Sequence, residues 1–208
     1  MTKILYLASQ SESRQRLLRD SGIPFQTIAQ DADEKNFDHT LPLEELVKAI
    51  AVSKMEHVIL PLGKTEGDIC FVLSADTLGL NYNGEICTKP ADKDDAIAML
   101  KSYRKGSQTG TAFCLDKKVY KNNSWQVEKR ILGFASAKYI FDVPDEWIER
   151  YFELSIKSGV HYLNVSGAVA IEEFGAQFLK TITGSYTGVV GLPLYEVRQA
   201  LDELGFFS

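Results

Sequence analysis

Apolar residues follow two rhythms along this chain. Short unbroken runs at Lys3–Ala8 and Phe71–Ala75, with Thr109–Leu115 and the alternating Tyr139–Val143, predict buried or half-buried strands. Between them the apolar spacing lengthens to the helical period. Ser11–Ser21 reads as a helix stopped by Gly22 and Pro24. Pro42–Val58 carries a proline in its first turn. Asp92–Tyr103 starts behind an Asp cap and sets Ala96, Met99, Leu100 and Tyr103 on one face. Pro144–Leu154 is led by Trp147, Ile148 and Tyr151. A last helix runs from Pro193 to Gly205 with Leu194, Val197, Leu201 and Leu204 in register. "NYNGEI" (Asn81–Ile86) predicts a hairpin turn around Asn83-Gly84, and "NNSW" (Asn122–Trp125) a turn or short loop. Strands that alternate with helices predict an α/β fold. No repeat, low-complexity linker or compositional break divides residues 1–208, so the chain reads as a single domain, at most two lobes around a central cleft.

Composition narrows the partners. The chain has 208 residues, 45% hydrophobic and 25% charged, with a formal net charge of −5. That balance is ordinary for a globular protein and speaks against stable nucleic-acid binding, which calls for a basic surplus. Cys70, Cys87 and Cys114 are scattered and form no CxxC pair, which suits a reducing compartment better than a disulfide frame or a zinc site. His39, His57 and His161 show no ligand spacing. No apolar run reaches the ~20 residues of a membrane span, and Ile4–Ala8 is too short for a signal-peptide core. The expected location is the cytoplasm.

Against this background several polar residues stand out. In "LASQSESRQRLL" the first strand hands over to a helix through Ser9, Ser11, Ser13 and Arg14. Helix N-termini present unpaired N–H groups and the positive end of the dipole, so this junction could hold an anion; Ser11 could equally be a simple N-cap. On the helix Pro42–Val58, Leu43, Val47, Ile50 and Val58 share a face. At about 100° per residue, Lys54 falls within about 20° of Leu43 and Val47. An ammonium there is costly to bury unless paired. It either snorkels to the surface or serves a site, and on the second reading removing its charge should keep or raise stability. Asp76, in "SADTLG", follows the buried run Phe71–Ala75. That places a carboxylate at a strand's carboxyl end, where open α/β sheets bind ligands, or else in an Asx-turn. "DADE" adds Asp31, Asp33 and Glu34, hard oxygens suited to Mg²⁺ or simply an acidic loop. Lys89 in "CTKP" precedes a proline that could start a helix. Cations with carboxylates are the inventory of metal-assisted phosphoryl chemistry, yet no GxxxxGK[ST] loop is present.

The segments "LASQSESRQRLL", "DADE", the Lys54 helix, "SADTLG", "GEICTKPADKDDAIAML", "TGTAFCL" and "GSYTGVVGLPLYEV" together resemble, in order and spacing, the Maf family of nucleoside triphosphate pyrophosphatases. The resemblance implies a mixed sheet flanked by helices, related to inosine triphosphate pyrophosphatases and often homodimeric. It also implies Mg²⁺- or Mn²⁺-dependent cleavage of the α–β phosphate bond of non-canonical or modified nucleotides. By position it makes Asp76 the general base and a metal ligand, and Glu34 an acidic metal- or water-positioning residue. Lys54, Arg14 and Lys89 become phosphate-contacting cations, with Ser9 and Ser11 in the phosphate loop.

Three positions at which branches of the family differ diverge here. The dTTP/UTP branch has two consecutive arginines in its first motif, where this chain has Ser13 before Arg14. It also has Gln where "VAIEEF" places Glu172. Glu172 resembles the 7-methyl-GTP branch, but Thr77 stands where that branch usually has Gln. A carboxylate only accepts hydrogen bonds, so Glu172 suits the paired donors of a guanine edge over the carbonyls of thymine or uracil. The competing reading is a regulator of division that senses nucleotides without turnover; a general base would be superfluous in it.

Overall fold

The computed structural model describes residues 3–33, 37–63 and 65–208. Among the described residues the strands are β1 (Leu5–Leu7), β2 (Phe25–Thr27), β3 (Ile69–Leu80), β4 (Ile86–Cys87), β5 (Ser107–Lys121), β6 (Ser124–Phe141) and β7 (Leu179–Gly184). The α-helices are α1 (Glu12–Asp20), α2 (Leu43–Glu56), α3 (Lys93–Tyr103), α4 (Ile148–Lys157), α5 (Tyr186–Val190) and α6 (Leu194–Glu203). The strands form one sheet in the hydrogen-bonded order β2-β1-β3-β5-β6-β7, with β4 paired to β3. The sheet is mixed: β1 is parallel to β2 and to β3, while β3 with β4 and β6 with β7 run antiparallel. This is the α/β class that the alternating rhythms predict.

Backbone packing divides the chain into two compact units. The first comprises Met1–Asp76, Thr111–Ala135 and Gly191–Ser208; the second comprises Thr77–Gly110 and Ser136–Val190.

In the first unit the strand period of two sorts side chains onto two faces. Phe71, Leu73 and Ala75 of β3 join Leu5, Leu7, Leu18 of α1 and Val197 and Leu201 of α6 in one buried cluster. The alternate residues Cys70 and Val72 join Ala8, Ile28, Cys114 and Met55 of α2 in another. The connections explain why α1 and α2 take opposite faces. β1–α1–β2 steps one way along the sheet and β2–α2–β3 steps back across β1, and right-handed crossovers in opposite directions must use opposite faces.

The second unit has its own core, built from Leu100 and Tyr103 of α3, Tyr139 and Phe141 of β6, Tyr151 and Phe152 of α4, and Phe178. Phe141, Tyr151 and Phe178 meet edge to face at centroid separations of 5.7, 5.8 and 6.2 Å. α3 is capped by Asp92, which accepts from the Asp95 N–H at 2.9 Å, and the Asp95 carboxylate reaches back to accept from the Ala91 N–H at 2.9 Å. Asp92→Ala should therefore cost about 1 kcal/mol of stability, read as a lower midpoint in urea unfolding with an unchanged slope.

Several boundaries differ from the sequence expectation. β3, β5 and β6 reach 12, 15 and 18 residues, far beyond the runs Phe71–Ala75, Thr109–Leu115 and Tyr139–Val143. The stretch "SWQVEKRILGF" of β6 carries no sustained apolar alternation, being largely exposed with Glu128, Lys129 and Arg130 in succession. Val143 lies outside β6. Asn122 and Asn123 form the turn between β5 and β6 with φ of 52° and 59°, the left-handed pair that a two-residue hairpin loop requires. Pro144 precedes a single 3₁₀ turn, Asp145–Trp147, and only then does α4 begin. β2 and β7 went unpredicted, the first for its three residues and the second for its largely exposed pattern. Among the described residues, no helix is long and apolar enough to cross a membrane.

Candidate active site

The serine-rich junction contains the N-cap that one sequence reading expects. Ser11 is the N-cap of α1, its hydroxyl accepting from the Arg14 N–H at 3.5 Å, the long end of a hydrogen bond. The buried Ser9 hydroxyl oxygen accepts twice, from the Ser11 N–H at 3.2 Å and from Arg14 Nη1 at 3.1 Å. Arg14 Nε donates to the Gly191 carbonyl at 2.8 Å. The guanidinium is thereby held against the loop at the positive end of α1, an arrangement suited to an anion. Ser13 lies within the first turn of the same helix and is half-buried.

The second part of the site joins α2 to β3. Lys54 Nζ lies 2.7 Å from Asp76 Oδ1, and the two side chains are only 9% and 8% exposed. Lys54 therefore does not snorkel. The observed stripe of α2 is Leu46, Val47, Ile50, Ala51, Lys54 and Met55, shifted from the expected one, in which Leu43 and Val58 are only half-buried. β3 supplies the other partner by parity: Val72, Ser74 and Asp76 share one face, the face covered by α2. Ser74 Oγ donates to the Ala51 carbonyl at 2.7 Å, and Val72 clusters with Met55. The strand thus advances as the helix recedes. The Lys54 stem, which tilts toward its helix's N-terminus, runs in the direction of Asp76.

Asp76 is not in an Asx-turn, and β3 continues past it to Leu80. What ends nearby is the parallel ladder, whose last pair is Leu7↔Leu73. Ser9 and Asp76 thus both lie beyond the carboxyl end of the β1–β3 ladder, the edge where sheets of this class bind ligands.

Asp76 Oδ2 is buried and has no hydrogen-bond partner among the described residues. An orphaned carboxylate oxygen of this kind fits a hard divalent cation, and Mg²⁺ commonly uses one or two carboxylates and completes its shell from phosphates and water. Glu34, the other expected ligand, lies outside the described residues. Asp31 and Asp33 are exposed. Among the described residues there is no cluster of three or more side chains that could hold a metal by themselves.

The remaining expected site residues belong to the second unit. Lys89 is exposed in the bend between β4 and α3. Its neighbour Pro90 does not start the helix; Asp92 caps it and Lys93 is its first residue. Thr77 is half-buried in β3, and Glu172 is half-buried immediately before the 3₁₀ segment Glu173–Phe178. The cysteines offer no nucleophile: burial pushes the Cys70 and Cys114 thiols up to about 12 and raises that of Cys87.

Two features escaped the sequence reading. Ser74 was only a letter in a motif, although no part of it is exposed. Asp116, equally buried, takes a two-pronged hydrogen bond from Arg130 at 2.7 and 2.8 Å, while Arg130 also pairs with Glu56 at the end of α2. Alternation in β5 could have suggested Asp116 as inward-facing, but nothing local named Arg130 as its partner.

Residues 4–204 match the Maf-like protein family. The chain belongs to that family. This Maf-like protein is 34% identical over 205 residues to the dTTP/UTP pyrophosphatase of Caldicellulosiruptor saccharolyticus, covering 98% of this chain and 96% of that one. It is 34% identical to the dTTP/UTP pyrophosphatase of Dechloromonas aromatica, over 97% of this chain and 98% of the relative. It is 31% identical to a nucleoside triphosphate pyrophosphatase of Prochlorococcus marinus, again over 97% and 98%.

Proposed function

We propose that this chain is a nucleoside triphosphate pyrophosphatase, releasing pyrophosphate and a nucleoside monophosphate. The observation that carries the reading is the buried Lys54–Asp76 pair with Asp76 Oδ2 left unpartnered. The ammonium fixes one carboxylate oxygen, which leaves the other to act on a water. In that reaction the water oxygen bonds to the α-phosphorus, the bond to the bridging α–β oxygen breaks, and the water proton passes to Asp76. Arg14, held by Ser9 and Gly191, offers charge-assisted donors to phosphate oxygens at the N-terminus of α1. A divalent cation, held by Asp76 and Glu34, would neutralise phosphate charge as it builds on the leaving group. Lys89 is assigned to phosphate and Glu172 to the base on the family pattern. The names of the relatives support the same reaction.

Base choice has two readings. The relatives from Caldicellulosiruptor and Dechloromonas favour dTTP and UTP. Glu172 favours a guanine-like base, because a carboxylate facing the carbonyls of a pyrimidine is repulsive and desolvated.

Purified protein should release pyrophosphate from at least one of dTTP, UTP, GTP and 7-methyl-GTP with Mg²⁺ or Mn²⁺, and EDTA should reduce the rate to background. Binding of a triphosphate without release under either metal would instead identify a sensor. Comparing kcat/KM across the four substrates for wild type and Glu172→Gln decides the base. A ranking led by dTTP or UTP, or one that ignores the substitution, removes the guanine reading.

A further inference from the structure

Beside the Lys54–Asp76 pair lies Ser74. It precedes Asp76 by one strand period and shares its face of β3, so its hydroxyl meets the same helix that supplies Lys54. It is fully buried, and its Oγ donates to the Ala51 carbonyl at 2.7 Å. That carbonyl lies three residues, just under one turn, before Lys54. Apart from the Lys54–Asp76 pair itself, this strand face meets α2 through apolar contacts of Val72 and Met55, and apolar packing tolerates sliding far better than a hydrogen bond does. A hydroxyl at this point fixes how far α2 stands along β3, and hence where the Lys54 ammonium arrives.

The hydrogen bond is unnecessary for satisfying the helix, since within α2 the Ala51 carbonyl faces the amide four residues on. Replacing Ser74 by alanine orphans no buried group. Its expected effect therefore falls on position, with little on folding.

We infer that Ser74 is a positioning residue for the reaction, locking the register of α2 on β3 so that Lys54 holds one oxygen of Asp76 and leaves the other, buried oxygen without a hydrogen-bond partner among the described residues. This inference rests on the proposed pyrophosphatase reading for its kinetic consequence, but its structural half stands independently.

The test is a mutant cycle. Ser74→Ala should lower kcat about ten-fold with KM for the nucleotide changed less than about two-fold, the range expected when a positioning hydrogen bond is lost. In the Lys54→Met background, where the group being positioned is gone, Ser74→Ala should lower kcat no further. Equal losses in both backgrounds would mean general loosening and would overturn the inference, as would an unchanged kcat in the first.

A second readout needs no turnover: reductive methylation of Lys54, followed by mass spectrometry and normalised to the exposed Lys93. Labelling of Lys54 should rise at least about three-fold in Ser74→Ala. If wild type proves inactive on every triphosphate, the functional reading fails alone, and labelling still decides the role of Ser74. Unchanged labelling overturns it.

Discussion

Asp76→Asn is expected to cut pyrophosphate release by about 100- to 10,000-fold, the usual cost of losing a positioned general base. The amide is nearly isosteric and its oxygen can still accept from Lys54 Nζ, at present 2.7 Å from Asp76 Oδ1. What the substitution removes is the second oxygen, the buried Oδ2 that has no hydrogen-bond partner among the described residues. An NH₂ group there can neither take a proton from water nor face a cation. The expected result is a folded, inactive protein, with steady-state pyrophosphate release and a thermal melt as the two measurements. Near-normal turnover by Asp76→Asn would remove Asp76 from the chemistry.

Lys54→Met should be the more damaging change to stability, at about 3–5 kcal/mol. The apolar stripe of α2 taken by itself argues the opposite, that a methionine would relieve a buried charge. The structure reverses the sign because the charge is not alone. Both side chains are under a tenth exposed, so removing the ammonium leaves the Asp76 carboxylate buried without its cation. The diagnostic comparison is the double variant Lys54→Met/Asp76→Asn. Removing both charges should recover much of the stability lost in Lys54→Met, since replacing a whole buried pair is often close to neutral. Urea unfolding of the four proteins measures this directly. A double variant less stable than Lys54→Met would contradict the buried-pair account. All three variants should be poor catalysts, so stability and activity separate cleanly.

The contrast between these two substitutions also shows what could be read from the sequence. Ser11 as a cap, Asp92 as a cap, the Asn-Asn turn and the helical stripe holding Lys54 are all local matters, settled within a turn or two of chain. The residue types of the proposed site were legible too, because a lysine in an apolar stripe and a carboxylate after a buried run are each out of place by simple rules. Their partnership was not legible. Lys54 and Asp76 are 22 residues apart and meet only through the register of α2 on β3, which no local pattern encodes. The long strands are longer than their apolar runs for a related reason: β6 carries charges such as Arg130, whose partners Asp116 on β5 and Glu56 on α2 lie on other elements. Glu172 is half-buried just before the segment Glu173–Phe178, and which base it meets depends on chemistry outside the chain.

β3 carries two different instructions in one run of residues. Odd positions from Phe71 to Ala75 build hydrophobic core, and even positions from Val72 to Asp76 address α2 and the reaction. Such a strand tolerates changes of letter better than changes of length. Loss of a single codon between residues 70 and 75 would turn every later side chain to the opposite face, sending the carboxylate toward the α1–α6 core and a core residue toward Lys54. In a population of sequences, this stretch is therefore where insertions and deletions should be purged most strictly, even where individual core residues drift among similar apolar types.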